Sequence, residues 1–227
     1  MLQSFLHLFY PHACEGCGQE LSSTEKILCI SCSLQLPATG FQKIADNPAE
    51  KKFWGRVPMQ HAMAGYYFYK QGVLQNLIHS FKYKKREDVA IFLGRQLGLL
   101  LRESAWWKEI TALVPVPLHA AKARHRGYNQ AALLAEGMAG VLECNVWADG
   151  LKRTAFSETQ TRKSRTDRWT NVENIFAWNR HELKSSPHLL VVDDVMTTGA
   201  TLEACAQAVL QAGNNVKVSA CALACAA

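Results

Sequence analysis

The sequence has no apolar run approaching the ~18 residues of a membrane-spanning helix, so an integral membrane role is not expected. Its first ten residues are apolar but lack a basic leader and are cut short by Pro11, which argues against a secretory signal. Neither G-x-x-x-x-G-K-[ST] nor G-x-G-x-x-G occurs, so a nucleotide P-loop and a dinucleotide fingerprint are both unsupported. Internal repeats and low-complexity tracts are absent as well. Charged residues make up only 19% against 48% hydrophobic, which leaves no compositional case for disorder.

What is present is 227 residues, enough for one domain with an accessory module or for two small domains. Eight cysteines in a chain without a signal point to a reducing, cytoplasmic setting, where metal binding is favoured over disulfides. The net charge of +6 is uneven: basic side chains lead through residue 180, and acidic ones lead from 181 onward. Such an excess favours anionic partners but also serves solubility, so it is weak evidence for nucleic acid by itself.

The front of the chain carries Cys14-x2-Cys17, eleven residues, then Cys29-x2-Cys32. Each C-x-x-C turn aims two sulfurs at one point, and two turns complete a tetrahedral thiolate shell. Gly18, directly after Cys17, suits the tight turn of such a knuckle. With all four positions filled by thiolate no place is left for water, so structural zinc is expected. A redox pair or two disulfides are the competing readings. Cys144, Cys205, Cys221 and Cys225 lack ligand spacing and read as small buried hydrophobes. Residues 1–36 are therefore taken as a four-cysteine zinc module, and the polar, proline-containing residues 37–60 as a linker or long loop.

Beyond that stretch the periodicity alternates. Ala62–Tyr69 reads as a strand, Val73 to Phe81 and Val89 to Leu101 as helices, and Ala112–Val116 as a strand. A helix is expected over Gln130–Leu142, a buried strand over Leu189–Val192, a helix from Leu202 to Leu210, and a last strand from Val216 to Ala222. Strands alternating with helices predict an α/β fold with a mostly parallel sheet flanked by helices.

The most informative stretch is Leu189-Leu190-Val191-Val192-Asp193-Asp194-Val195-Met196-Thr197-Thr198-Gly199-Ala200-Thr201. A buried strand delivers two carboxylates to its C-terminal end, where α/β sheets bind ligands. Threonine hydroxyls and free N–H groups at a helix start then make a cradle for phosphate. Carboxylates suit ribose hydroxyls or the shell of a magnesium ion. The competing reading is a helix cap with an exposed acidic turn. Two basic stretches accompany it: a loop after the Val114–Leu118 strand end with Lys122, Arg124 and Arg126, and a polar stretch with Arg162, Lys163, Arg165 and Arg168. Lys82, Tyr83, Lys84, Lys85 and Arg86 mix an aromatic with cations in a way that suits single-stranded DNA, though a solvated helix end has the same composition.

Four apolar residues, two acids, two variable positions and Thr-Thr-Gly-x-Thr resemble the phosphoribosyl diphosphate (PRPP) motif of type I phosphoribosyltransferases. Together with the cysteine knuckles, V-P-x-P-L…R-G-Y-N-Q and T-Q-T-x-K-x-R, the motif resembles the ComF family over nearly the whole chain. The resemblance implies a zinc-ribbon-like module followed by a phosphoribosyltransferase-like domain over residues 61–227. It further implies that Asp193 and Asp194 hold the ribose hydroxyls and that Thr197, Thr198, Gly199 and Thr201 hold the 5′-phosphate, within a Val192–Thr201 site. Pro117, Leu118, Lys122, Arg124 and Arg126 would grip pyrophosphate, and Arg162, Lys163, Arg165 and Arg168 would belong to a flexible loop closing over PRPP and magnesium. The family's association with uptake of transforming DNA makes single-stranded DNA and other competence proteins expected partners. The resemblance leaves three functions open: phosphoribosyl transfer to some acceptor, a non-catalytic PRPP- and DNA-binding module, and nucleobase salvage.

Overall fold

A computed structural model describes residues 13–118, 124, 126–154, 175–179 and 186–226. Its centre is a five-stranded sheet in the order β1-β7-β6-β2-β3, formed by β1 (Ala62–Phe68), β2 (Ala112–Pro115), β3 (Asn145–Val146), β6 (His188–Met196) and β7 (Lys217–Ala226). All four pairings are parallel. A parallel sheet must be covered on both faces, and bare apolar runs are the consequence. Leu189 to Val192 and Ala112 to Val114 are fully buried.

Helices α3 (Val73–Tyr83), α4 (Glu87–Leu101), α5 (Gln130–Leu142) and α6 (Ala200–Leu210) supply that cover. The crossing of α4 and α5 depends on glycine. A Cβ on Gly94 would fall on the Leu134 carbonyl, and one on Gly137 on the Ile91 carbonyl, so the two backbones meet where no side chain intervenes. Asn129 caps α5: its Oδ1 accepts from Ala131 N at 3.1 Å while its Nδ2 donates to Val116 O at 3.0 Å. One side chain thereby ties the start of the helix to the end of β2.

Two connections define the position of the site. β2 leads through α5 to β3, whereas β6, which pairs with β2, leads through α6 to β7 on the other side. The chain thus departs in opposite directions from adjacent strands. A crevice opens outside the carboxyl ends of strands at such a switch point.

The periodicity located the main elements to within a few residues, with two exceptions. β6 continues past Val192 through both aspartates to Met196, and β7 runs on to Ala226. The short antiparallel ribbon of β4 (Leu151–Arg153) and β5 (Phe176–Trp178) has no counterpart in the periodicity.

Residues 37–60 hold the short helix α2 (Pro48–Lys51) and a 3-10 turn, Phe41–Lys43. Phe41, Ala49, Phe53 and Val57 are buried there. Asn47 is buried too: its Oδ1 accepts from Ala49 N at 2.8 Å and its Nδ2 donates to Ala62 O at 2.9 Å. Along the outer edge of β1, Thr39 N donates to Gly65 O at 3.0 Å and Tyr67 N to Pro37 O at 2.8 Å. That edge is capped by the chain itself. Among the described residues no helix is long and apolar enough to cross a membrane.

Candidate functional site

The cysteine cluster is assembled from a hairpin and a helix start. Cys14 N donates to Gln19 O at 2.7 Å and Gly18 N to Cys14 O at 2.8 Å, closing a turn in which Gly18 takes a φ of 78°. Cys29 is the N-cap of α1 (Ile30–Leu34), which contains Cys32. The four sulfurs lie within 4.8 Å of one another, with Cys17 and Cys29 at 3.9 Å. A Zn–S bond of ~2.3 Å sets a tetrahedral edge of about 3.8 Å, so the donors are spaced for one metal ion. Cys29 N donates to Cys14 Sγ at 3.3 Å and Cys32 N to Cys29 Sγ at 3.4 Å. Burial pushes the Cys14 thiol up, but the N–H groups of Cys29, Cys17 and Gly16 outweigh it and bring it down to about 7. The Cys32 thiol goes the other way, pushed up by burial and by its hydrogen bonds with Cys17, Cys29 and Cys14. All eight cysteines are free; Cys205, Cys221 and Cys225 are buried and Cys144 is half-buried, and burial pushes their thiols up.

The second site opens at the β2/β6 seam. An open cleft of about 230 Å³ is bordered by Pro117 and Leu118 after β2, by Asp193, Asp194 and Val195 in β6, and by Thr201 in α6. Lys82, Arg126 and Arg153 bring positive charge to the same cleft, and Asn129 and Gln130 at the start of α5 line it as well. Asp193, half-buried beside Asp194, is pushed up to about 7 by burial first and the neighbouring carboxylate second. Its Oδ1 accepts from Asp194 N at 2.8 Å. The pair is short of positive charge, and Lys82 supplies some of it: its Nζ lies 2.5 Å from Asp194 Oδ2.

After Met196 the chain turns through Thr197, Thr198 and Gly199, whose φ of 83° is left-handed, into α6. Thr197, Thr198 and Ala200 are exposed, and Ala200 N donates to Thr198 Oγ1 at 3.4 Å. A small hollow of about 30 Å³ lies inside this turn, alongside Asp193 and Thr201. The turn is braced from behind. A Cβ on Gly199 would come within 3.0 Å of Phe53, and Arg56 pairs with Glu203 of α6.

The structure brings together Asp193, Asp194, Val195, Thr201, Pro117, Leu118 and Arg126. Arg124 is exposed and lies outside the cleft lining. Lys122 and the basic stretch with Arg162, Lys163, Arg165 and Arg168 fall outside the described residues. Of the elements flanking that stretch, β4 and β5 are paired, and Arg153 in β4 rests over the Phe176 ring of β5 at 5.4 Å.

The Lys82–Arg86 cluster is divided rather than shared. Lys82 turns into the cleft, and Arg86 is held by Asp88 at 2.7 Å and by Glu15 of the cysteine hairpin. Tyr83, Lys84 and Lys85 are left exposed. Beside them a polar hollow of about 430 Å³ is lined by Asn76, His79 and Ser80 of α3, by Lys84 just after it, and by the Cys14–Gly18 hairpin.

No protein-family model matches the chain. It is 33% identical over 208 residues to DNA utilization protein YhgH of Escherichia coli, an alignment covering 88% of this chain and 85% of that one. Competence protein F of Haemophilus influenzae is 28% identical, with 87% and 83% covered. Competence protein ComFC of Bacillus subtilis is 32% identical over 112 residues, 47% of this chain and 41% of that one. Among solved structures, glutamine phosphoribosylpyrophosphate amidotransferase from B. subtilis matches 63% of this chain and 30% of its own, at 20% identity and a TM-score of 0.41.

Proposed function

Since the chain belongs to the ComF family, with DNA utilization and competence proteins among its relatives, we propose that it binds PRPP with magnesium in the β2/β6 cleft and serves the handling of transforming DNA. One observation carries this reading: two aspartates at the end of a buried parallel strand face lysine and arginine across a switch-point crevice. A diacid with one lysine in contact and two arginines elsewhere in the same cleft fits a ligand that brings both a metal ion and anionic oxygens.

Asp193 and Asp194 accept hydrogen bonds from the ribose hydroxyls. Thr197, Thr198, Gly199 and Thr201 hold the 5′-phosphate with hydroxyls and the N–H groups at the start of α6. Arg126, with the backbone at Pro117 and Leu118, faces the pyrophosphate. Asp193 and Asp194 would hold magnesium in the cleft, where the ion would supply charge neutralisation for the diphosphate. Should an acceptor bond to the anomeric carbon as its bond to pyrophosphate breaks, no side chain need act as nucleophile, and the chain's part is to orient the sugar and stabilise the departing pyrophosphate charge. Zinc occupies the four-cysteine cluster, as suits thiols kept reduced in a cytoplasm.

A calorimetric titration with PRPP, with and without magnesium, tests the reading. Binding should require the metal. It should weaken at least about tenfold in the Asp193→Asn, Asp194→Asn double variant, since two charged-group hydrogen bonds of ~1.5–3 kcal/mol each are lost. Equal affinity in the double variant and the wild type would overturn the assignment. A screen of nucleobases for pyrophosphate release then separates a transferase from a binding module.

A further inference from the structure

Lys82 belongs to none of the segments that resemble a PRPP site. It comes from α3, one turn beyond the buried Ile78, on the flank of the face that packs into the core. Its backbone is anchored on both sides. The carbonyl of the preceding Phe81 accepts from the Tyr128 hydroxyl, next to the start of α5. On the opposite side of α3, Ser80 Oγ donates to Glu15 Oε2 at 2.6 Å and Asn76 Nδ2 to Gly16 O at 2.8 Å. From this fixed base the ammonium reaches Asp194 at 2.5 Å, with only 17% and 19% of the two side chains exposed. The other cations of the cleft are turned elsewhere. Arg126 donates to Gln130 Oε1 at 2.8 Å, and Arg153 lies over Phe176. Among the described residues, Lys82 is the cation in contact with the diacid.

We propose that Lys82 is the resident counterion of Asp193 and Asp194, excluding a bare divalent cation from the cleft and yielding only to one that arrives chelated by an anionic ligand. A magnesium ion sits ~2.1 Å from a carboxylate oxygen. An ammonium 2.5 Å from Asp194 Oδ2 claims that volume and repels the incoming charge. A bare ion that displaces the lysine leaves a partly buried ammonium without a partner. A metal–diphosphate complex brings anionic oxygens that receive it, so the exchange is compensated. Lys82 thereby selects a metal-chelated sugar diphosphate over the free metal. The inference deepens the PRPP reading of the cleft and rests on it.

The experiment is a manganese titration without PRPP, with free Mn²⁺ read by electron paramagnetic resonance. Lys82→Met should bind Mn²⁺ at least about tenfold more tightly than the wild type, equivalent to ~1.4 kcal/mol. Lys82→Arg, which keeps the charge, should stay at the wild-type affinity. The gain should vanish when Asp194→Asn is added to Lys82→Met, which sets the cleft apart from adventitious binding elsewhere. Lys82→Gln repeats the measurement with a polar side chain should the Met variant fold poorly. Equal Mn²⁺ affinity with and without the lysine, absence of binding in both included, overturns the proposal. A parallel titration with PRPP and magnesium keeps the two ideas apart. A manganese gain with no PRPP binding by the wild type retains the counterion and removes the PRPP reading, and the opposite pattern does the reverse.

Discussion

Replacing Asp193 with Asn should stabilise the folded protein above neutral pH, although it removes a group assigned to the ligand. In the fold this carboxyl titrates at about 7 instead of 3.8, because burial and the Asp194 charge both oppose its ionisation. Between pH 4 and 7 the unfolded chain has lost this proton while the folded chain still holds it. Stability therefore falls as pH rises through that window and levels off above it. At ~1.4 kcal/mol per pH unit the ceiling is about 4 kcal/mol. Relaxation around a half-buried group lowers this to about 1–2 kcal/mol, or about 2–8 °C in Tm for a chain of this size. Asn keeps the Oδ1 that accepts from Asp194 N, so the local geometry has no reason to change. Melting followed by circular dichroism from pH 4 to 8 would read the difference between variant and wild type. It should be near its minimum at pH 4, grow to pH 7 and then hold. A difference that stays flat with pH, or one that grows toward acid, would refute the reasoning.

Freshly purified protein should contain one zinc per chain by elemental analysis, and Cys29→Ser should lose it. Because metal binding supplies folding free energy to so small a module, hydrogen exchange should then quicken over residues 13–36 while β2 and β6 stay protected; an unchanged exchange pattern would count against the metal. Affinity for single-stranded DNA should fall with log salt at about −0.7 per contact, and Lys84→Ala with Lys85→Ala should flatten the slope by about 1.4 while leaving PRPP binding intact. A slope that does not change would remove Tyr83, Lys84 and Lys85 from the interface.

The sequence disclosed those parts of the fold and site that are local. The cysteine spacing could be read because each C-x-x-C is closed by its own hydrogen bonds, Gly18 N to Cys14 O among them. The diacid could be read because a bare apolar strand ending in carboxylates is a short-range pattern. Helix α5 was recoverable to the residue, since Asn129 and the Ala/Leu run that follows carry both the cap and the period. Long-range pairing was less accessible. Lys82 sits among basic residues with a surface composition, and only the position of α3 against β6 shows that its ammonium meets Asp194. Helical spacing from Ile78 to Lys82 held a hint, because it places the lysine on the flank of the buried face. Residues 37–60 have a polar composition, yet Asn47 reaches Ala62 and Phe53 reaches Gly199 through tertiary contacts that no local period records. The β4–β5 ribbon is not legible in the sequence because three-residue strands are too short to display an alternation.

The pairing of β1 with β7 joins Ala62 to Ala220, the first strand of the sheet to the last. During synthesis β1 emerges long before its partner. At ~5–20 residues per second, the interval is about 8–30 s. Pro37 and Thr39 guard only the outer edge of β1. The inner edge, a row of unpaired N–H and C=O groups, stays open until β7 leaves the ribosome. β6 waits at the same gap, since β7 also fills the space between it and β1. The nascent chain thus carries two open edges bordering one missing strand, and a ribosome stalled before residue 217 would hold a species prone to pair with its neighbours. Ala220, Cys221, Ala222, Ala224 and Cys225 let β7 enter that slot with little side-chain bulk to rearrange.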